Sequence, residues 1–345
     1  MRRSRAAWLF GLVLAFGFLP SSGRADQIVK NDGESILAES ISEATLERIS
    51  YTAVGGRPAT VRAADVASLG FTRAPGDFQA GENARLSESY DEAIRRYQRV
   101  VGNAQATPPV KDASAYYIGV CHLRAGNFAE AVTAFALLET QNASSFYLPQ
   151  ALLGKAEALL AAGDLPGAAS AYGAIGVRYG ERPAALAGFG NAEVLERQGK
   201  KDEAARAFES VADARAVSLP SVALRSRLRA ARLRAALGQV DAAQRLVTAV
   251  EGNAGLDEAG RLTLGNVQAM LLTARATAAG DTPEARVMRL DALWAYLGSI
   301  VLYADGSSEE AEAFRGAIAC ARALGEEEKA TQLEGELASR FPGAR

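Results

Sequence analysis

Histidine occurs once and cysteine twice in 345 residues. That scarcity removes most metal and nucleophile chemistry before any motif is sought. A zinc site needs three or four ligands at set spacings, and His122, beside Cys121, has no such company. A catalytic dyad would need an orienting third group as well. His122 is therefore expected to be a packed or partly exposed helix residue. No glycine-rich phosphate loop, G-x-S-x-G or H-E-x-x-H occurs. An excess of one charge is missing too, since 38 basic residues face 40 acidic ones. Acidic pairs such as Asp202–Glu203 and Glu309–Glu310 fall at helix starts, where the helix dipole accounts for them. These absences point to a protein that is not an enzyme, with no catalytic residue, no metal and no cofactor.

Only one long apolar run is present, "AAWLFGLVLAFGFL" at residues 6–19. It follows the basic "MRRSR", is short for a membrane span, and is broken by Pro20. Gly23 and Ala25 are the small residues a signal peptidase needs, which places a cleaved signal peptide at residues 1–25. No cysteine follows the run, so a lipoprotein signal is excluded. Cleavage removes four arginines and no acids, leaving 34 basic against 40 acidic residues, a net charge of −6. An exported, acidic chain with no stable membrane span after cleavage is a poor nucleic-acid binder.

Residues 26–73 alternate apolar and polar side chains over short runs separated by "NDG" (31–33) and "GGRP" (55–58). About five short strands with tight turns follow from that pattern. Fewer than fifty residues bury a core only by curling up. The turn spacing resembles the SH3-like or Sm-like small barrels at the front of some exported repeat proteins. The resemblance implies a small β-barrel, used either as a peptide-binding module or as a cap and spacer.

From residue 77 to the end the punctuation is helical. "SYDEAIRRY" (89–97), "GNFAEAVTAF" (126–135), "GDLPGAASAY" (163–172) and "GKKDEAARAF" (199–208) share one skeleton. Its alanine falls at Ala93, Ala131, Ala168, Ala204 and Ala243, at spacings of 38, 37, 36 and 39. Repetition at this period signals stacked helix pairs, here about seven of them. The small residue allows a close helix crossing, and the aromatic four residues on (Tyr97, Phe135, Tyr172, Phe208) fills the space beside it.

"AYYIGVCHLRAGNFAEAVTAFALLE" (115–139), with Gly119, Ala131 and Phe135, resembles the tetratricopeptide repeat. Pro109, Pro149 and Pro220 fall where that repeat expects a closing proline. Repeats are expected at about 77–108, 112–146, 149–182, 185–218, 221–255, 260–305 and 308–342. In the sixth, "TPEARVMR" reads as an insertion between helix A and a helix B at 289–305, so the register there is open. Cys121 and Cys320 then lie about five repeats apart, too far for a disulfide, and are expected as buried free thiols. The repeat length resembles the periplasmic subset of the family linked to envelope assembly and the Tol-Pal system. The fold implied is mainly α, a right-handed α–α superhelix preceded by the small barrel.

The family resemblance also implies a concave groove lined by the A helices. Its register puts Tyr116, Tyr117 and Val120 inward in the second repeat, and Phe189 and Glu193 in the fourth. In the fifth, Arg225, Arg229 and Arg232 form one helix stripe turned the same way. Arginine forks suit carboxylates and aromatics suit peptide anchoring. Two readings stay open for the stripe: an acidic segment of another envelope protein bound in the groove, or internal pairing with Glu193 and Glu196. A third possibility for the whole chain is a spacer or assembly subunit acting through its outer surface and barrel.

Overall fold

The chain begins its described course, residues 25–303 and 306–342 of a computed structural model, with five strands. These are β1 (Asp26–Lys30), β2 (Ser35–Ala44), β3 (Arg48–Ala53), β4 (Pro58–Arg62) and β5 (Val66–Gly70). All neighbours are antiparallel, in the order β4-β3-β2-β1-β5. Hairpin turns at Asn31–Glu34 and Val54–Arg57 fall where "NDG" and "GGRP" place them, closed by backbone bonds such as Lys30 N–H to Glu34 O, 2.8 Å. Ile28, Ile41, Ile49, Val66, Leu69 and Phe71 are buried, with Leu69 and Phe71 two apart on the core side of the end of β5.

The expected closed barrel does not form. Two register breaks bend the ten-residue β2, between Ala38 and Ser40 and between Ile41 and Glu43. The chain then leaves β4 through a single turn at Ala63–Asp65 and returns onto β1, on the far side of the sheet. Asn31 holds that turn through its amide, donating to Ala64 O at 2.7 Å. No ladder joins β4 to β5 among the described residues, so the sheet is curved but open.

Fourteen α-helices follow among the described residues. In pairs they are α1 (Gly76–Leu86) and α2 (Tyr90–Gly102), α3 (Pro108–Ala125) and α4 (Phe128–Gln141), α5 (Leu148–Ala162) and α6 (Leu165–Ile175). Then come α7 (Glu181–Arg197) and α8 (Lys201–Arg215), α9 (Pro220–Ala236) and α10 (Val240–Thr248), α11 (Glu258–Ala278) and α12 (Pro283–Tyr303), α13 (Ser308–Leu324) and α14 (Glu327–Arg340). The described residues fall into two compact units that meet between Val194 and Leu195, within α7.

Each hairpin is built as its sequence skeleton requires. Ala93, Ala131, Ala168, Ala204 and Ala243 are fully buried, and so are their counterparts Ala292 and Ala330. Tyr97, Phe135, Tyr172, Phe208 and Tyr296 lie one turn further on, each no more than 4% exposed. Phe135 shows why small residues recur on the A helices. A Cβ placed on Gly119 of α3 or on Gly154 of α5 would meet its ring at 2.5 Å. One aromatic ring of helix B is thus clamped between its own A helix and the next. Gly190 receives Tyr172 in the same way, and Gly316 receives Tyr296. Gly126 ends α3 at φ 80°, and the Asn127 N–H closes the turn on His122 O at 2.9 Å. The first hairpin manages its turn without glycine, with Glu88 at φ 59°. The prolines expected to close repeats instead open the next A helix, where a missing N–H costs nothing.

The sixth pair differs from expectation. "TPEARVMR" is not an insertion but the start of α12, with Pro283 at its first position. Both α11 and α12 are 21 residues long, so the extra length extends both arms of one hairpin. Cys121 and Cys320 are free and buried, as their distance along the chain requires.

Sheet and helices are joined within the first unit. Phe71 meets Phe78 of α1 edge-on at 5.7 Å, and Phe78 meets Tyr97 at 5.9 Å. The end of the β2–β3 hairpin pairs with the α4–α5 loop through Leu46 N–H to Ser144 O (2.8 Å) and Phe146 N–H to Ala44 O (3.1 Å). Asp26, 4% exposed, closes the fold of the sheet. Its carboxylate accepts from the backbone N–H groups of Ile41 (3.1 Å), Thr72 (2.8 Å) and Arg73 (3.3 Å). Bonds to a charged acceptor contribute about 1.5–3 kcal/mol each at most. Asp26→Ala should therefore lower stability by about 2–3 kcal/mol in urea denaturation; a change within error would show that Asp26 does not tie β1 to β2 and the end of β5.

Candidate functional site

The A helices of the first unit place aromatic side chains side by side. Tyr116 and Tyr117 of α3 sit between Tyr97 of α2 and Tyr147, the residue that precedes α5. Tyr117 stacks on Tyr97 at 5.6 Å and Tyr116 stacks on Tyr147 at 5.4 Å. Arg85 of α1 lies 4.7 Å over the Tyr117 ring, held there by Glu82 at 2.8 Å. The Tyr97 hydroxyl bonds to the same Glu82. Burial pushes all four tyrosine hydroxyls above their ordinary pKa, so they remain neutral donors.

The groove residues expected in this unit are therefore not equivalent. Tyr116 and Phe189 are buried among the packed helices. Tyr117, Val120 and Glu193 are half-buried and keep one side toward solvent. Lys155 of α5 joins them, bonded to Glu139 of α4 at 3.1 Å.

One polar residue of this unit was not anticipated. His122, Glu157 and Glu193 each follow the clamping glycine (Gly119, Gly154, Gly190) by three residues, and so occupy one register position on successive A helices. Glu157 is 3% exposed and neither carboxyl oxygen has a hydrogen-bond partner. Burial pushes its pKa up to about 8; Arg124 pulls against that shift and Glu193 adds to it. His122 is shifted the other way, downward, by burial, against Glu130 and Asp91. The glycine register locates Glu157, but a glutamate in a helix ordinarily reads as surface.

In the second unit the arginine stripe of α9 is already engaged. Arg225 reaches Asp257, the residue capping α11, at 3.2 Å. Arg229 bonds Glu196 at 3.1 Å and Glu309 of α13 at 2.7 Å. Arg232 bonds the same Glu196, and Glu312 at 2.9 Å. Asn266 of α11, 1% exposed, donates to Glu309 O at 2.8 Å, so α11 is threaded into the same lattice. Burial would raise the Glu309 pKa, but Arg229 and Arg232 outweigh it and hold the carboxyl below its usual range. Of the two carboxylates expected to pair with the stripe, Glu196 pairs with both Arg229 and Arg232. Glu309 and Glu312 lie 80 residues beyond their arginines, out of reach of any local pattern. On the opposite side of α9, Arg234 bonds Glu209 and Asp202 of α8, both at 2.7 Å.

Among the described residues no group of three or more His, Cys, Asp or Glu side chains is arranged to hold a metal ion. No described helix is long and apolar enough to cross a membrane. The signal peptide at residues 1–25 lies outside the described residues except for Ala25.

Comparison with known proteins agrees with this geometry. The tetratricopeptide repeat family model matches residues 78–146 and 153–218, the stretch from α1 to α8. Repeats of this kind generally mediate protein–protein contacts and generally serve as scaffolds without enzymatic activity. A tetratricopeptide repeat protein from Parabacteroides merdae has a similar solved structure, at 14% identity and a TM-score of 0.54, covering 77% of this chain and 92% of that one. The C-terminal part of a TPR repeat-containing protein from Cytophaga hutchinsonii is also similar, at 13% identity and a TM-score of 0.48, covering 77% of this chain and 96% of that one. No curated protein matches the chain.

Glu157 gives a pH test. Unfolded, a glutamate titrates near 4.3, whereas folded Glu157 titrates near 8, so between these values the folded state holds the extra proton. Stability of the first unit should fall as pH rises through that window and level off above it. Glu157→Gln should remove most of this slope in urea titrations between about pH 5 and pH 9; an unchanged slope in the variant would show that Glu157 is not the group responsible.

Proposed function

We propose that the chain is a non-enzymatic interaction scaffold of the cell envelope that holds an extended segment of a partner protein against the A helices of its first unit. The supporting observation is the packed tyrosine row with Arg85 over Tyr117, which leaves Tyr117, Val120 and Glu193 half-open along one face. Tyrosines fixed by neighbours lose little entropy on binding and make good anchors. Glu139 and Glu193 supply charge beside them, and Lys155 a hydrogen-bond donor.

The arginine stripe of α9 takes a different role in this reading. Arg229 and Arg232 are 21% and 15% exposed, and each already holds two carboxylates of its own chain. An acidic ligand would have to displace them and leave buried charges unpaired, which costs several kcal/mol. The stripe therefore acts as an internal tie between α7, α9 and α13. Export rests on the basic and apolar start of the sequence, and places the partner among periplasmic or secreted proteins.

Two measurements test the proposal. Mass spectrometry of the protein isolated from its native host should find Asp26 at the mature N-terminus; retention of Met1 would contradict export. A photo-crosslinker at Val120 should capture an envelope protein through one defined segment, and Tyr117→Ala should reduce that capture at least tenfold with the fold intact. Equal capture by Tyr117→Ala would contradict the groove and favour a spacer acting through its outer surface.

A further inference from the structure

One carboxyl of the first unit faces the groove without a counter-ion of its own. Tyr116, Val120 and Arg124 recur every four residues and so share one face of α3. Glu157 of α5 lies across from that face: Arg124 and, from α7, Glu193 act on its carboxyl, and the carboxyl acts on Tyr116. Tyr116 is buried, Val120 half-buried and Arg124 exposed, so the seam between α3 and α5 runs from the tyrosine row out to solvent. Glu157 closes the inner side of that seam, 3% exposed and with both oxygens unpartnered.

The helices packed around Glu157 leave it in need of a donor. Arg124 acts on it from a distance, its guanidinium making no hydrogen bond or ion pair among the described residues. Lys155, two residues away on α5, is turned to Glu139 of α4 at 3.1 Å. Tyr116 is stacked on Tyr147 at 5.4 Å, Tyr172 of α6 lies against Gly190, and Glu193 is a like charge. Positions 147, 150, 154 and 157 share one face of α5, and the Tyr147 hydroxyl and Gln150 Oε1 are buried there without a partner as well. That face is rich in acceptors and short of donors. Three residues before Glu157, Phe135 clamped on Gly154 fixes the distance between α3 and α5, so whatever reaches the carboxyl must be slender. An ammonium on an apolar stem meets both needs, whereas the guanidinium of arginine is a wider planar fork.

We propose that Glu157 takes the side-chain ammonium of a lysine in the partner segment held at the tyrosine row. The inference rests on the groove proposed above and names the residue type that the groove selects. The lysine stem lies along Val120 while its ammonium reaches inward to the carboxyl. On binding, the neutral carboxyl gives its proton to solvent and the carboxylate so formed accepts from the ammonium, so one proton leaves for each lysine bound. A proton and a lysine therefore compete for one site. Free Glu157 holds its proton up to about pH 8, so affinity for the lysine should rise about tenfold per pH unit below that value and level off above it. A metal ion fits less well, because no group of three or more ligating side chains is assembled among the described residues.

The test uses the mature protein with its glutamate carboxyls labelled for NMR. Two probes differ in the ammonium alone, Nα-acetyl-lysine methylamide and its norleucine counterpart. At about pH 6.5 the lysine probe should move the Glu157 resonance, assigned with Glu157→Gln, to its ionised position. It should also bind at least tenfold more tightly than the norleucine probe. Glu157→Gln keeps the shape of the side chain and should abolish that preference, with circular dichroism checking the fold. Equal binding of the two probes, or a Glu157 resonance that stays protonated with the lysine probe saturating, overturns the inference. The crosslinker at Val120 separates it from the groove itself. A captured segment with a lysine within about three residues of the attachment point supports the inference. A segment captured without one leaves the groove standing and overturns the lysine site, and no capture at all overturns both.

Discussion

Phe135 pressed between Gly119 and Gly154 is the contact on which the rest of the helical structure depends. The ring belongs to a B helix, and the two glycines belong to the A helices on either side of it. Neither A helix can carry even a methyl group at that point, so the ring sets both the crossing within a hairpin and the distance to the next hairpin. Tyr172 against Gly190 and Tyr296 against Gly316 repeat the arrangement. Once the contact fixes the rotation of each A helix, the residues one turn away follow. That is how His122, Glu157 and Glu193 come to one register position.

The two units resolve their polar interiors differently. In the first, burial leaves the Glu157 carboxyl without a hydrogen bond, and the group responds by holding its proton. In the second, carboxylates and guanidinium groups are buried together, with Glu196 shared by Arg229 and Arg232 and with Glu309 and Glu312 completing the set. Such a lattice gives geometric specificity more than net stability, since desolvation offsets most of the attraction. Removing one member would be far more damaging than replacing the whole set. Tyr116 and Tyr117 of the tyrosine row and the arginines of the lattice lie on A helices, but the arginines are already bonded to carboxylates of their own chain.

Much of this was legible in the residues. The alanine of each hairpin, the aromatic that follows it in five of them, the turn glycine after every A helix but the first, and the two β-turns are local patterns with local causes, and they stand where the spacing puts them. What was not legible depends on distance along the chain. Whether β4 meets β5 is decided by a turn at Ala63–Asp65 that returns the strand to β1, and strand alternation carries no information about that choice. The partners of Arg229 and Arg232 lie 80 residues on. "TPEARVMR" looked like an insertion because a fixed period leaves no place for two helices that lengthen together. Trp294 lies between the buried Ala292 and Tyr296, and its own outward direction shows only in the packed hairpin.

A double-mutant cycle on the ring and its glycine tests the central contact most directly. Gly154→Ala should destabilise the protein by about 1–3 kcal/mol, although alanine is the better helix former. Phe135→Leu removes the ring atom that the new methyl would strike. Combined with Gly154→Ala it should therefore lose clearly less stability than the two single losses summed, with a coupling of about 1 kcal/mol or more. Strict additivity of the two losses, or a Gly154→Ala variant more stable than the parent, would contradict the account.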